Sequence, residues 1–361
     1  MSSLILLADD LTGALDTSAE LVGQFGPLQV FWSASSIAPT QSSFAIDSGT
    51  RELSPERAFA VVGEFATMLV GATVAYKKID SLLRGPWVAE LDACLRLGAW
   101  DACIVAPAFV HQGRRTINGQ QYARAADGGW SAVGKKIVEQ LRERKLEARQ
   151  SSPSARVQAG ITVFDAETEG DLDRVVQAGR NYPGRLLWCG SGGLASALAR
   201  GTGLWAPDRL KRPVLGIFGS DHRTTQVQLA ACEPVVIRSH DIAADLGRIK
   251  QALAEGVAFV KLEAPTASRT DIAEHFAREI ATLCRSVDPP GCLIVAGGET
   301  LKAQATAVGA RALRVLGRLE PGIPKSVVEG GPWSGVEVVS KSGAFGTADV
   351  LWKLLKQNGL I

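Results

Sequence analysis

The run Leu4-Ile5-Leu6-Leu7-Ala8 stops abruptly at two adjacent carboxylates, Asp9 and Asp10, and continues as Leu11-Thr12-Gly13-Ala14. A hydrophobic strand that ends in Asp-Asp and passes into a helix puts acidic side chains at the carboxyl edge of an α/β sheet, where such folds bind ligands. One short segment thus constrains the fold class and marks a site.

The same logic recurs along the chain. Strand-like apolar runs at Leu28–Trp32, Ala72–Tyr76, Ala102–Ala106 and Leu186–Cys189 are separated by helical stretches such as Pro55–Leu69 and Val88–Leu97. That alternation predicts mainly parallel βαβ units. Between Trp205 and Pro213, two prolines and four charged residues separate a Gly/Ala-rich helix from a fresh strand, Val214–Phe218. A chain of 361 residues is also long for one domain. The expected architecture is therefore two α/β domains, 1–206 and 207–361, each a mainly parallel sheet flanked by helices. In the second, Pro234–Ile237, Val257–Leu262, Leu293–Ala296 and Val336–Val339 read as strands; Arg223–Cys232, Ile242–Ala254, Asp271–Cys284 and Thr300–Gly309 read as helices. The polar stretch Arg149–Ser154 reads as a surface loop.

Charge excludes some partners. Lys and Arg number 39 against 37 Asp and Glu, so no global field steers nucleic acid or acidic membranes, and an anion must be recognised locally. The six cysteines form no CxxC pair and no histidine cluster joins them, which predicts reduced, buried thiols rather than a zinc site. The N-terminus lacks the basic region of a signal peptide, so a soluble cytoplasmic protein is expected.

Four constellations in the first half carry chemistry. Asp9 and Asp10 can orient a sugar hydroxyl, accept its proton or hold a divalent cation; the plainer alternative is that one of them caps the following helix. Asp47-Ser48-Gly49-Thr50-Arg51 is a polar loop just before Ser54-Pro55, an N-cap with proline at the first helical position. Lys77-Lys78-Ile79-Asp80-Ser81-Leu82-Leu83-Arg84 crowds cations and a carboxylate into one strand-to-helix passage. A guanidinium fork binds carboxylate or phosphate there while a lysine supplies a mobile point charge; the alternative is an internal Asp80–Arg84 ion pair. Last, Val105–Phe109 leads into a glycine-punctuated loop with Gln112, Arg114, Arg115 and Asn118. His111 in that loop has no visible partner and reads as solvated.

The second half offers three strand-to-loop-to-helix passages: Phe218-Gly219-Ser220-Asp221-His222, Ala296-Gly297-Gly298-Glu299-Thr300, and Lys341-Ser342-Gly343-Ala344-Phe345-Gly346. Glycine lets the backbone approach, and N–H groups at a helix start can face phosphate oxygens. Neither the Walker pattern nor the dinucleotide fingerprint is present. A single glycine pair is explained by tight turn packing, but three such loops in one domain favour a phosphate-bearing ligand.

Taken in order, ADDLTGALD at Ala8–Asp16, the Asp47–Arg51 loop, KKIDSLLRG at Lys77–Gly85, APAF…QGR.T.NG at Ala106–Gly119, GGET and KSGAFG resemble the four-carbon acid sugar kinases, once grouped as a domain of unknown function. That resemblance implies phosphorylation of threonate, erythronate or oxo-tetronate by ATP with Mg2+, with the acid sugar on the first domain, the nucleotide on the second and reaction in the cleft between. By matching positions, Asp10, Asp47, Arg51, Lys78, Asp80 and Arg84 would form the acid-sugar group, with Asp9, Gln112 and Arg114 beside it. Gly297, Gly298, Glu299, Thr300 and Gly343 would form the ATP group, with Ser220 and His222. Where many relatives have Gly-Ser-Cys-Ser, this chain has Gly219-Ser220-Asp221-His222, and Asp47-Ser48-Gly49-Thr50-Arg51 varies the usual Asp-Thr-x-Ser-Arg. The implied mechanism has arginine and lysine hold the sugar carboxylate while Asp10 or Asp80 takes the terminal hydroxyl's proton, and magnesium and loop N–H groups carry charge on the transferred phosphoryl. No metal-ligand set is singled out. The rivals are a non-catalytic sensor of sugar acid or nucleotide and, with no fingerprint behind it, a dehydrogenase. A homodimer is expected on general grounds.

Overall fold

Strand β1 (Leu4–Ala8) is buried along its whole length, as its unbroken apolar run requires of a strand covered on both faces. Burying each such aliphatic side chain contributes about 1.5–3 kcal/mol. The computed structural model describes residues 3–37, 43–125, 127–264 and 268–361. The chain divides into two compact units, 1–203 and 204–361.

In the first unit β1 is followed by α1 (Leu11–Phe25), β2 (Leu28–Phe31), β3 (Phe44–Asp47), α2 (Pro55–Leu69), β4 (Val74–Lys78), α3 (Trp87–Leu95) and β5 (Ala102–Ala106). Then come β6 (Arg114–Ile117), β7 (Gln120–Arg124), β8 (Trp130–Ala132), α4 (Ile137–Glu143), β9 (Ala148–Ser151), β10 (Gly160–Phe164), α5 (Glu169–Arg180), β11 (Leu186–Gly190) and α6 (Gly192–Leu198). Its main sheet runs β2-β3-β1-β4-β11-β5-β10-β9, every pair parallel. The order reverses direction around β1 and β4, whose carboxyl ends carry Asp9-Asp10 and Lys78 to Arg84 side by side; Ala8 is in register with both Asp47 and Lys78. Ser54 caps α2 as expected, its hydroxyl accepting from Arg57 N–H with Pro55 at the helix start.

Two local expectations are corrected. Arg149–Ser151, expected within a surface loop, belongs to β9, pairing with Thr162–Phe164 at the edge of the sheet. An edge strand with no fully buried residue needs no apolar periodicity, so the pattern was invisible. The Gln112–Gly119 loop instead opens an antiparallel meander, β6-β7-β8, turning at Asn118 and Gly119 with φ of 50° and 71°. Asn-Gly with both residues at positive φ is a hairpin signal.

The second unit holds β12 (Val214–Phe218), α7 (Arg223–Ala230), β13 (Val236–Ser239), α8 (Ile242–Glu255), β14 (Val257–Leu262), α9 (Arg269–Ser286), β15 (Cys292–Ala296), α10 (Gly298–Ala307), β16 (Ala312–Glu320), β17 (Ile323–Glu329), β18 (Glu337–Lys341) and α11 (Val350–Gln357). Its order is β13-β14-β12-β15-β18-β17-β16, parallel through β18 and then antiparallel. The β16–β17 hairpin, turning at Pro321-Gly322, was not expected from the sequence; Gly317 and a Pro at 324 break its apolar pattern. One core packs Phe218, Phe259, Ile294 and Val339 under Leu351, Leu354 and Leu355 of α11. All six cysteines are buried and unpaired. Among the described residues no helix is long and apolar enough to cross a membrane.

Candidate active site

Asp10 caps α1: its Oδ1 accepts from Gly13 N–H at 2.9 Å and its Oδ2 from the Thr12 hydroxyl at 2.6 Å. The capping alternative is therefore realised, and Asp10 does more than cap. Arg51 reaches over from the loop after β3 and grips Asp9 with Nε and Nη2 at 2.7 and 2.9 Å, while Nη1 lies 2.7 Å from Asp10 Oδ2. Asp80 is 3.8 Å from the same guanidinium. Arg84 closes on Asp80 with its own fork at 2.8 and 2.7 Å, so the internal pair is also present. A guanidinium fork matches a carboxylate edge to edge, which fixes the orientation of both groups.

The loop bearing Arg51 is held from below. Thr50 and Arg51 N–H groups donate to the Asp9 carbonyl, and Asp47 Oδ1 accepts from Gly49 N–H at 2.7 Å, so Asp47 shapes its own turn. The Thr50 hydroxyl donates to Glu90, which pairs with Lys77; Thr50, Lys77 and Glu90 are wholly buried. Lys78, one residue on, faces the opposite side of β4. A Cβ on Gly13 would collide with Asp10 and stand 2.9 Å from Lys78 Nζ, so the glycine lets that ammonium approach the first turn of α1. Lys78 is 4 % exposed; its carbonyl accepts from Lys77 Nζ at 2.9 Å, while its own ammonium makes no hydrogen bond or direct ion pair with a described residue.

These charges tune one another. Burial works to raise the Asp9 carboxyl, but Arg51 and Lys78 outweigh it and hold it below its ordinary range. Asp80 is likewise opposed by burial and is driven far lower by Arg84's hydrogen bonds and Arg51's charge. Asp16, in the middle of α1, goes the other way: burial pushes its pKa up to about 7 against the Lys78 charge. No role was expected for Asp16 from sequence, although it closes the first motif. Thr50, Lys77 and Glu90 were also missed as a set, because Glu90 is forty residues from Thr50 and only the fold joins them.

Gln112 and Arg114 belong to the turn from β5 into the meander. Arg114 donates to the Gln112 carbonyl, burial lowers its pKa, and Asp80 opposes that shift, which sets Arg114 in the field of the Asp80 carboxylate. Buried Gln121 ties the meander to the same passage by donating to the Ser81 carbonyl at 2.7 Å. His111 lies in the single turn Val110–Gln112, and its side chain makes no hydrogen bond or ion pair with a described residue.

In the second unit the ATP-group residues converge at the carboxyl ends of β12, β15 and β18. A Cβ on Gly343 would come 2.5 Å from Ser220 Oγ and 3.2 Å from His222 Cβ; one on Gly297 would lie 3.6 Å from Thr300 Oγ1 and 3.7 Å from Ser220 Cβ. Gly297 has φ of 104°, a conformation that disfavours a side chain. His222 Nδ1 accepts from Thr224 N–H at 3.2 Å and caps α7. Gly298 begins α10 and Glu299 stands exposed in its first turn. Lys341, buried beneath the Gly343 loop, donates to Thr225 Oγ1 and the Ser342 and Gly343 carbonyls, and burial brings its pKa down to about 8.

Both halves of the chain are similar to known proteins. Residues 4–140 and 130–198 match a sugar-binding N-terminal domain, and residues 215–351 match a nucleotide-binding C-terminal domain. A D-threonate kinase of Cupriavidus necator is 30% identical, covering 97% of this chain and 96% of its own. A D-threonate kinase of Bordetella bronchiseptica is 28% identical over 96% of this chain and 95% of its own. A D-erythronate kinase of Heliobacterium modesticaldum is 25% identical over 97% and 95%. The solved structure of a Haemophilus influenzae protein, 18% identical, superposes with a TM-score of 0.70 over 98% of this chain and 100% of that one, which shows a shared fold.

Proposed function

The chain belongs to the four-carbon acid sugar kinase family, and from that premise we propose that it moves the terminal phosphoryl of ATP to the terminal hydroxyl of a threonate- or erythronate-class acid. The domain 1–206 takes the acid sugar and the domain 207–361 the nucleotide. The observation that carries this reading is Lys78: a buried ammonium without a direct partner among the described residues stands beside a carboxylate at a sheet edge, ready for an anionic substrate. Arg84, 59 % exposed, offers a second cation.

Asp10 is the proposed base. Of the three carboxylates around Arg51 its side chain is the most open, 19 % exposed against 2 % for Asp9 and 8 % for Asp80. Asp80 has both oxygens held by Arg84, and its depressed pKa makes it a poor proton acceptor. Asp9 orients Arg51. In the second unit the Ser220 and Thr300 hydroxyls and the Glu299 carboxylate are hard oxygen donors, a set that fits magnesium arriving with the nucleotide. When bound, magnesium neutralises charge on the phosphates. The Gly297, Gly298 and Gly343 backbone would lie against those phosphates, since no side chain intervenes. Buried thiols throughout support a cytoplasmic setting.

ADP release should be measured with ATP and magnesium across the stereoisomers of threonate, erythronate and oxo-tetronate. Release confined to one or a few of these acids, and lost in Asp10→Asn, is expected. Silence across the panel with ATP still bound would overturn the reading in favour of a sensor.

A further inference from the structure

Lys77, Lys78, Lys261, Lys325 and Lys341 are all buried. A buried ammonium is costly unless partnered, so the partner indicates the task. Lys77 is locked against Glu90 at 2.7 Å, with both side chains out of solvent. Lys325 is locked too, 3.0 Å from Glu337 Oε2 and donating to the Pro207 and Arg209 carbonyls. Lys341 holds a loop through neutral oxygens.

Lys261 differs from all of these. Its side chain is 4 % exposed, yet the carboxylate that neutralises it, Asp221 Oδ1 at 2.8 Å, belongs to a side chain 67 % exposed. Its remaining bond goes to the Leu262 carbonyl at 2.9 Å. A buried partner cannot leave without stranding its own charge, whereas an exposed carboxylate is resolvated by water as it turns away. Asp221 is therefore an exchangeable counter-ion.

Register shows what it would be exchanged for. Lys261 lies opposite Phe218, Phe218 opposite Ala296, and Ala296 opposite Lys341. Residues in register on parallel neighbours share a face, so the two lysines end a row of four on one side of the sheet. Two glycine turns of the ATP group leave from the two middle positions of that row and the third follows Lys341 at its end, and Asp221 sits in the first of them.

Resting on the nucleotide reading above, we propose that Lys261 binds a phosphate of the nucleotide and that Asp221 holds its place until the phosphate displaces it. Asp221 thus competes with the ligand, and the two residues must act with opposite sign. Removing the lysine weakens phosphate binding; removing only the carboxylate's charge strengthens it.

Calorimetric binding of ADP, inorganic tripolyphosphate and adenosine to the full chain tests this. Lys261→Met should weaken ADP and tripolyphosphate at least roughly tenfold and leave adenosine unchanged, with Lys261→Arg recovering much of the loss. Asp221→Asn should tighten ADP and tripolyphosphate severalfold. Unaltered tripolyphosphate binding in Lys261→Met, or weaker binding in Asp221→Asn, would overturn the proposal. If Lys261→Met does not fold, the sign of the Asp221→Asn effect decides alone. Failure of the kinase reading shows separately, as absent ADP release by the unaltered chain on the acid panel.

Discussion

Thr50 Oγ1 donates to Glu90 Oε1 at 2.7 Å, and the other Glu90 oxygen lies 2.7 Å from the Lys77 ammonium. The loop that carries Arg51 is thereby anchored to both α3 and β4, on the face of the sheet away from Lys78. Thr50→Val keeps the volume and deletes the donor, which should cost about 1–3 kcal/mol and raise the acid-sugar KM while sparing the ATP KM. Glu90→Gln strands Lys77 and should cost about 3–5 kcal/mol, read as a fall in Tm. Equal rises in both Michaelis constants would deny the positioning role.

Arg84 is held to Asp80 but remains mostly exposed, so its removal should act on ligand binding more than on folding. Arg84→Ala is expected to raise the acid-sugar KM by roughly tenfold or more with a smaller change in kcat. An unchanged KM in steady-state assays would remove Arg84 from the carboxylate role.

Asp16 gives a pH signature. Its folded pKa is about 7, raised by burial, while the unfolded chain ionises the same carboxyl near 4. Between those values the folded chain retains a proton that the unfolded chain has lost, so stability falls as pH climbs from about 4 to about 7 and the whole cost is present above that. Asp16→Asn should therefore be more stable than the parent near pH 8, by roughly 2 kcal/mol after allowing for partial exposure, with the gap closing toward pH 4. Thermal melts over that range check it; a pH-independent difference would contradict it.

Gly343 has an ordinary backbone conformation, so its substitution tests space alone. The Cβ of Gly343→Ala would press on Ser220 Oγ and on His222 Cβ at 3.2 Å. ADP affinity should fall about tenfold with the acid-sugar KM unchanged. Undiminished ADP binding would place the nucleotide away from this loop.

Most of the parallel strands were legible because buried strands announce themselves as apolar runs, and the charged residues stood where those runs ended. Leu4–Ala8 and Val214–Phe218 are of this kind. Two short buried strands, β3 and β10, were not singled out, and the other strands that escaped lack that signature. The β9 edge strand is polar, and the β16–β17 hairpin carries its signal in the Pro321-Gly322 turn rather than in its strands. At the site, Asp9, Asp10, Arg51, Lys78, Asp80 and Arg84 were readable as a group because all lie in two strand-end passages and one neighbouring loop. The partition of their tasks was not, since which carboxylate a guanidinium grips depends on sheet order. Lys261 escaped because it lies inside an apolar strand and meets Asp221 only across β12 and β14.

The buried cysteines have a use of their own. Cys94, Cys103 and Cys189 lie in the first unit and Cys232, Cys284 and Cys292 in the second, each with its thiol pKa pushed up, chiefly by burial. A thiol that is both walled in and protonated reacts only when its surroundings open. Each half of the molecule therefore carries three native reporters of its own opening, and the rates at which a thiol reagent labels the two sets compare the endurance of the two halves without an engineered probe.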